Sequence, residues 1–202
     1  MPFVGLTGGM GAGKSTALSA LQRLGAAVLS SDAVVHELYE RPELRDALVE
    51  RWGPEVAPQG VVDRAAVAAR AFADADERAW LEAKLWPLVG AEMDAWLERV
   101  RALPTGEEPA AGGRPRAAIV EVPLLFESGM EGAFDATIAV VTAEELRRER
   151  AATRGHALED ERAARQMPQV EKARRATYVV RNDGSPSELE RELSAVLDKL
   201  ST

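Results

Sequence analysis

Residues 3 to 16 read FVGLTGGMGAGKST, and the order of residue types within them decides the fold. Phe3, Val4, Gly5 and Leu6 make a short apolar run that predicts a buried strand, and residues 14 to 24 have the composition of a helix. Between them, Gly8 and Gly13 followed by Lys14 and Ser15 satisfy the spacing G-x-x-x-x-G-K-[ST], with further glycines at Gly9 and Gly11. A glycine-rich turn placed there exposes consecutive N–H groups, and the start of the helix adds partial positive charge. The resulting concavity, Gly8 to Thr16 with Ala12 inside it, suits a polyphosphate. Lys14 can reach the terminal phosphates, and the Ser15 hydroxyl can take a place on a nucleotide-bound magnesium ion. The chain has four lysines against twenty-one arginines, so a lysine at this point is not compositional drift.

Composition narrows the rest. With 202 residues, 46% of them hydrophobic and 29% charged, the chain reads as a soluble globular protein with one sizeable core and at most a smaller lobe. A net charge of −8 argues against a nucleic-acid backbone as partner. Cysteine is absent, which excludes disulfides and thiolate metal sites and suits a reducing compartment. The two histidines, His36 and His156, are too far apart in sequence to suggest a paired metal site. No apolar run approaches the ~18 residues of a membrane span, and the N-terminus carries no basic lead. The expectation is a cytoplasmic protein without a membrane partner, monomeric or weakly homo-oligomeric.

Outward from the glycine-rich loop, strand and helix signals alternate. Residues 25 to 31 (GAAVLSS) predict a second strand ending at Asp32. A carboxylate just past a parallel strand is placed either to take the proton of an attacking hydroxyl or to cap the helix that follows. His36 reads as a surface or packing residue. Residues 43 to 52, 64 to 74 and 77 to 101 repeat apolar residues at helical spacing, which makes 33 to 103 a helical insertion. Pro87 predicts a break in its longest segment, and Trp80, Trp86 and Trp96 predict filling of the seams between helices.

Residues 103 to 116 (LPTGEEPAAGGRPR) read as an exposed loop. Residues 117 to 122 (AAIVEV) and 136 to 141 (ATIAVV) predict a third and a fourth strand. Glu121, polar within an apolar strand, stands either near magnesium or at a sheet edge. Residues 144 to 175 are dense in arginine, and Arg150 and Arg154 would share a helical face able to close on phosphates. Residues 177 to 181 (TYVVR) predict a fifth strand and 186 to 200 a last amphipathic helix. The fold class is therefore α/β, a parallel five-stranded sheet with helices on both faces.

These stretches, taken together, resemble the dephospho-coenzyme A kinase family. The resemblance rests on GLTGGMGAGKST, Asp32 followed by His36-Glu37-Leu38, the turn Gly60-x-x-Asp63-Arg64, and VPLLFESG at 122 to 129. It continues through Phe134-Asp135, Arg150-x-x-x-Arg154, Arg162-x-x-x-Gln166 and VVRNDGS at 179 to 185. It implies a P-loop kinase core (1 to 32, 104 to 143 and 176 to 202), a helical acceptor domain (33 to 103) and an arginine-rich lid (144 to 175). It further implies ATP with Mg2+ as phosphoryl donor and the ribose 3′-hydroxyl of dephospho-CoA as acceptor. By the same resemblance Asp32 faces the acceptor hydroxyl, and Arg150 or Arg154 is the lid arginine. Asn182 lies near adenine, Thr7, Arg64, Pro123 and Leu124 line the acceptor side, and Ser15 and Glu121 serve the metal. The chain departs from the family pattern at Ser30, where an Asp is common, at Trp86, where His is usual, and at Thr177, in place of a common Asp. Other P-loop small-molecule kinases would differ in the acceptor pocket. A guanine-nucleotide switch would carry Asn-Lys-x-Asp, which is absent.

Overall fold

The computed structural model describes residues 1–103, 114–152 and 166–201. Its strands are β1 (Phe3–Gly8), β2 (Ala27–Ser30), β3 (Ala118–Glu121), β4 (Ala136–Val141) and β5 (Tyr178–Arg181), joined in one sheet of order β2-β3-β1-β4-β5. Every pairing is parallel. Parallel neighbours need crossovers, and the helices between successive strands supply them. β1 is buried throughout because β3 and β4 flank it and both of its faces are covered.

The alternation of side chains along β1 assigns the two faces. Val4 and Leu6 point into a core shared with Ile119, Ile138 and Val140 and covered by α1 (Lys14–Arg23) and α8 (Pro186–Leu200), which contribute Leu21, Leu189 and Leu193. Phe3, Gly5 and Thr7 point the other way. Phe3 packs on Phe134 at 4.7 Å between ring centres. A side chain at Gly5 would press on Leu125 and Phe134, and Thr7 meets α7 (Gln169–Arg175) through Lys172. Helices therefore cover both faces, as the alternating sequence pattern requires.

α8 opens with a capping box: the Ser185 hydroxyl accepts from the Glu188 N–H, and the Glu188 carboxylate accepts from the Ser185 N–H at 2.7 Å. That backbone N–H, and then the Ser185 hydroxyl, hold the Glu188 carboxyl below its ordinary 4.5. A lowered carboxyl contributes stability that is complete above the unfolded value and is lost as pH falls through the folded one. Thermal unfolding followed from pH 6 down to about pH 3 should therefore show a decline below the ordinary 4.5 that is shallower in Glu188→Gln. Parallel declines in the two proteins would assign the acid sensitivity elsewhere.

The chain divides into two compact units, Met1–Ser30 with Trp96–Thr202, and Ser31–Ala95. The second unit is helical: α2 (Ser31–Leu38), α3 (Pro42–Trp52), α4 (Arg64–Ala73) and most of α5 (Ala75–Arg101). Within it Trp52 meets Trp80 edge to face at 5.2 Å and donates its indole N–H to Glu77 at 2.7 Å. Arg51 forks onto the same carboxylate with two bonds of 2.9 Å. Trp86, by contrast, is 43% exposed.

Pro87 does not break the helix, contrary to expectation, and α5 runs through it as one element. A proline in a helix interior costs about 3 kcal/mol. Leu81, Leu85, Val89, Met93 and Leu97 are all buried at four-residue spacing, and each contributes roughly 1.5–3 kcal/mol. The summed burial exceeds the cost of one exposed proline. Among the described residues no helix is long and apolar enough to cross a membrane.

Candidate active site

In a parallel sheet all strands end on the same side, and that edge is where an open α/β fold presents its ligand crevice. The glycine-rich loop follows β1 there, Glu121 ends β3, Thr142 follows β4 and Asn182 follows β5. α1 starts after Gly13 with no side-chain cap, so its first-turn N–H groups face the loop for a ligand to use. Lys14 curls back over the loop, its Nζ donating to the carbonyls of Gly8 at 3.1 Å and Gly9 at 3.3 Å. The ammonium thus sits across the loop mouth. Ser15 and Thr16 are exposed in the first turn of α1.

The loop is braced from behind. The carbonyl of Ala12 accepts from the buried Thr142 hydroxyl at 3.0 Å and from the Asn182 amide at 2.9 Å. Arg150 donates to the Asn182 carbonyl at 3.1 Å. Both sides of the Met10 peptide are held as well: its N–H donates to Gln166 at 2.8 Å, and its carbonyl accepts from Arg147 at 3.4 Å. Arg147 also forks onto Glu144, in α6 (Glu144–Ala152), and holds that carboxyl below its ordinary range.

Gly13 shows how closely this brace fits. Its φ of +86° lies in the left-handed region, and a Cβ there would stand 2.1 Å from the Asn182 amide nitrogen. Gly13→Ala combines ~1–2 kcal/mol of backbone strain with displacement of that amide. ATP affinity measured by titration calorimetry should fall by at least about tenfold. An unchanged affinity would mean that the loop does not need this conformation.

The remaining expected residues are placed as follows. Thr7 is fully buried, and its hydroxyl donates to the Pro123 carbonyl at 3.3 Å. Pro123 and Leu124 are half-buried in the turn after β3. The sheet-edge alternative for Glu121 is overturned, because β3 lies between β2 and β1 and Glu121 is in register with Ser30 and Leu6. Arg154 lies outside the described residues, as do Arg162 and His156.

In the second unit, α2 begins at Ser31, which puts Asp32 inside the first turn and removes the capping alternative for it. Its exposed carboxylate there meets the positive end of the helix dipole. His36, one turn on and also exposed, accepts from Arg64 at 2.6 Å between Nδ1 and Nη1. Arg64 is the first residue of α4, whose cap is Asp63.

Sequence reading missed Thr142 and Lys172. Thr142 gives no signal by type or spacing. Lys172 does, since it is one of only four lysines, the same rarity that marks Lys14. It is fully buried.

Comparisons with known proteins agree in one direction. The dephospho-CoA kinase family profile matches residues 2–188. A dephospho-CoA kinase of Deinococcus radiodurans is 41% identical over 201 residues, covering 98% of this chain and 91% of that protein. A crystal structure from Thermus thermophilus superposes with a TM-score of 0.77 at 36% identity, over 100% of this chain and 99% of that one. Shikimate kinase from Bacteroides thetaiotaomicron, at 15% identity and a TM-score of 0.51, shares the fold alone. With its loop, strand order and near full-length match all consistent, the chain belongs to the dephospho-CoA kinase family.

Proposed function

We propose that the residues gathered at the C-terminal edge of the sheet carry out the reaction of the family. That reaction is ATP-dependent phosphorylation of the ribose 3′-hydroxyl of dephospho-CoA, the last step of coenzyme A synthesis, and family membership over nearly the whole chain supports it. The observation that carries the residue assignment is the P-loop after β1, with Lys14 across its mouth and uncapped helix amides behind it. Phosphoryl transfer asks little covalent chemistry of a protein and depends on positioning and on neutralising charge. Gly8, Gly9, Gly11, Ala12 and Gly13 shape the phosphate cradle, Lys14 neutralises the terminal phosphates, and Ser15 and Thr16 offer their hydroxyls to the nucleotide and its metal. Of the arginines in the 144 to 175 segment, Arg147 meets the loop directly at the Met10 carbonyl, and Arg150, assigned to the phosphates, stands against it through Asn182.

Asp32 stands two residues past the end of β2, and its role is to accept the proton of the attacking hydroxyl. Thr7, Arg64, Pro123 and Leu124 are assigned to the acceptor. Asn182 is assigned to the adenine of ATP, and its amide also holds the P-loop carbonyl of Ala12. Mg2+ is commonly bound by one or two protein oxygens plus substrate phosphates, and Ser15 and Glu121 offer a hydroxyl and a carboxylate. When bound, the ion would neutralise charge on the transferring phosphoryl group. A cytoplasmic location accords with an acidic chain free of cysteine.

The test is ADP release from ATP and magnesium with dephospho-CoA, adenosine, AMP and CMP compared as acceptors. Stimulation by dephospho-CoA alone is expected. Stimulation by a nucleoside or nucleotide instead would keep the P-loop chemistry and overturn the acceptor.

A further inference from the structure

Lys172 is an ammonium with no exposure, and all three of its N–H groups are directed at acceptors. Its Nζ lies 2.6 Å from the Pro123 carbonyl, 2.9 Å from Glu127 Oε1 and 3.3 Å from the Thr7 hydroxyl. Glu127 in turn accepts the Met167 N–H at 2.7 Å. One turn on, Arg175 lies over the Phe126 ring at 4.9 Å from its centre and pairs with Glu131. α7 is thus fastened along its length to the segment that follows β3.

Stability alone is a poor reason for such an arrangement. The desolvation cost of a buried ion pair commonly offsets its Coulomb attraction, and apolar replacements of like volume are often neutral or better. Burial does push the Lys172 ammonium below its ordinary value, with Glu127 pulling the other way. What the ammonium provides that an apolar side chain could not is three directed bonds, two of which join the ends of different strands. Thr7 is the last residue but one of β1, where the P-loop begins, and Pro123 opens the turn after β3. The phosphate-binding part of the loop is held by other side chains, Thr142 and Asn182, and α7 reaches that brace through Gln169, which bonds both backbone groups of Thr142.

We propose that Lys172 is a positioning residue that locks the turn at Pro123 and Leu124 against Thr7 and so sets the acceptor side of the site without acting on the nucleotide. This rests on the reading that Pro123 and Leu124 face the acceptor. Lys172→Met alone would leave Glu127 buried and unpaired, with a risk of misfolding, so the decisive variant is the double change Lys172→Met with Glu127→Gln. Amide hydrogen exchange, melting temperature, ATP affinity and the steady-state constants for dephospho-CoA are measured on it and on the unmodified protein.

The double variant should melt near the unmodified protein and bind ATP within about twofold. It should exchange faster at residues 122 to 128 and show a rise in KM for dephospho-CoA, or a loss of kcat, of about tenfold, the scale of a small misplacement of reacting groups. Unchanged exchange at 122 to 128 would overturn the proposal, as would a loss of ATP affinity in step with melting temperature. Faster exchange with unchanged kinetics for dephospho-CoA would leave the lock in place and overturn the assignment of Pro123 and Leu124 to the acceptor.

Discussion

Lys14→Ala is expected to lower ATP affinity by about 10–100-fold, the range of one lost charge-assisted bond to a buried phosphate. Turnover should fall by a further ~10²–10³ if, as proposed, the lysine also meets charge that builds in the transition state. The structure adds a second cause. Lys14 Nζ ties the carbonyls of Gly8 and Gly9 together, so its removal also loosens the loop that presents the amides. Lys14→Arg separates the two contributions: it keeps the charge, but its planar fork cannot sit as a point charge over the same two carbonyls. Calorimetric titration with ATP and a coupled assay of ADP release give both numbers. A rate near that of the unmodified protein in Lys14→Ala would remove the basis of the phosphate-site assignment.

Asp32→Asn is expected to leave ATP affinity within about twofold and to lower turnover by ~10²–10⁴, the range of lost general-base help. The substitution is nearly isosteric, and the side chain is exposed in the first turn of α2. Asparagine forfeits the carboxylate's interaction with the helix dipole, about 0.3–1 kcal/mol. A change in melting temperature of a few degrees with full turnover would therefore confine Asp32 to helix stabilisation. A large loss of turnover at an unchanged melting temperature would place it at the reacting hydroxyl.

Much of the fold could be read from residue order. The five strands and the last helix fall within two residues of their expected places, because each strand is a short apolar run bounded by turn residues and the helix carries a four-residue apolar period. Pro87 misled because its cost is local and visible, while the burial along α5 that outweighs it is spread over several turns. Glu121 could not be assigned to an interior strand from its neighbours in sequence. Strand order is decided by crossovers, and only the sheet shows β3 between β2 and β1.

The same division runs through the site. The phosphate loop is contiguous, so covalent spacing alone puts glycines, lysine and serine where the chemistry needs them, and GLTGGMGAGKST declares it without any knowledge of the fold. The supports of that loop are not contiguous. Asn182 reaches Ala12 across 170 positions, and Lys172 reaches Thr7 across 165. Neither residue has a local pattern that reveals its partner. Their roles arise because parallel strands deliver all their C-terminal ends to one edge, where side chains distant in sequence must satisfy one another's polar groups away from water.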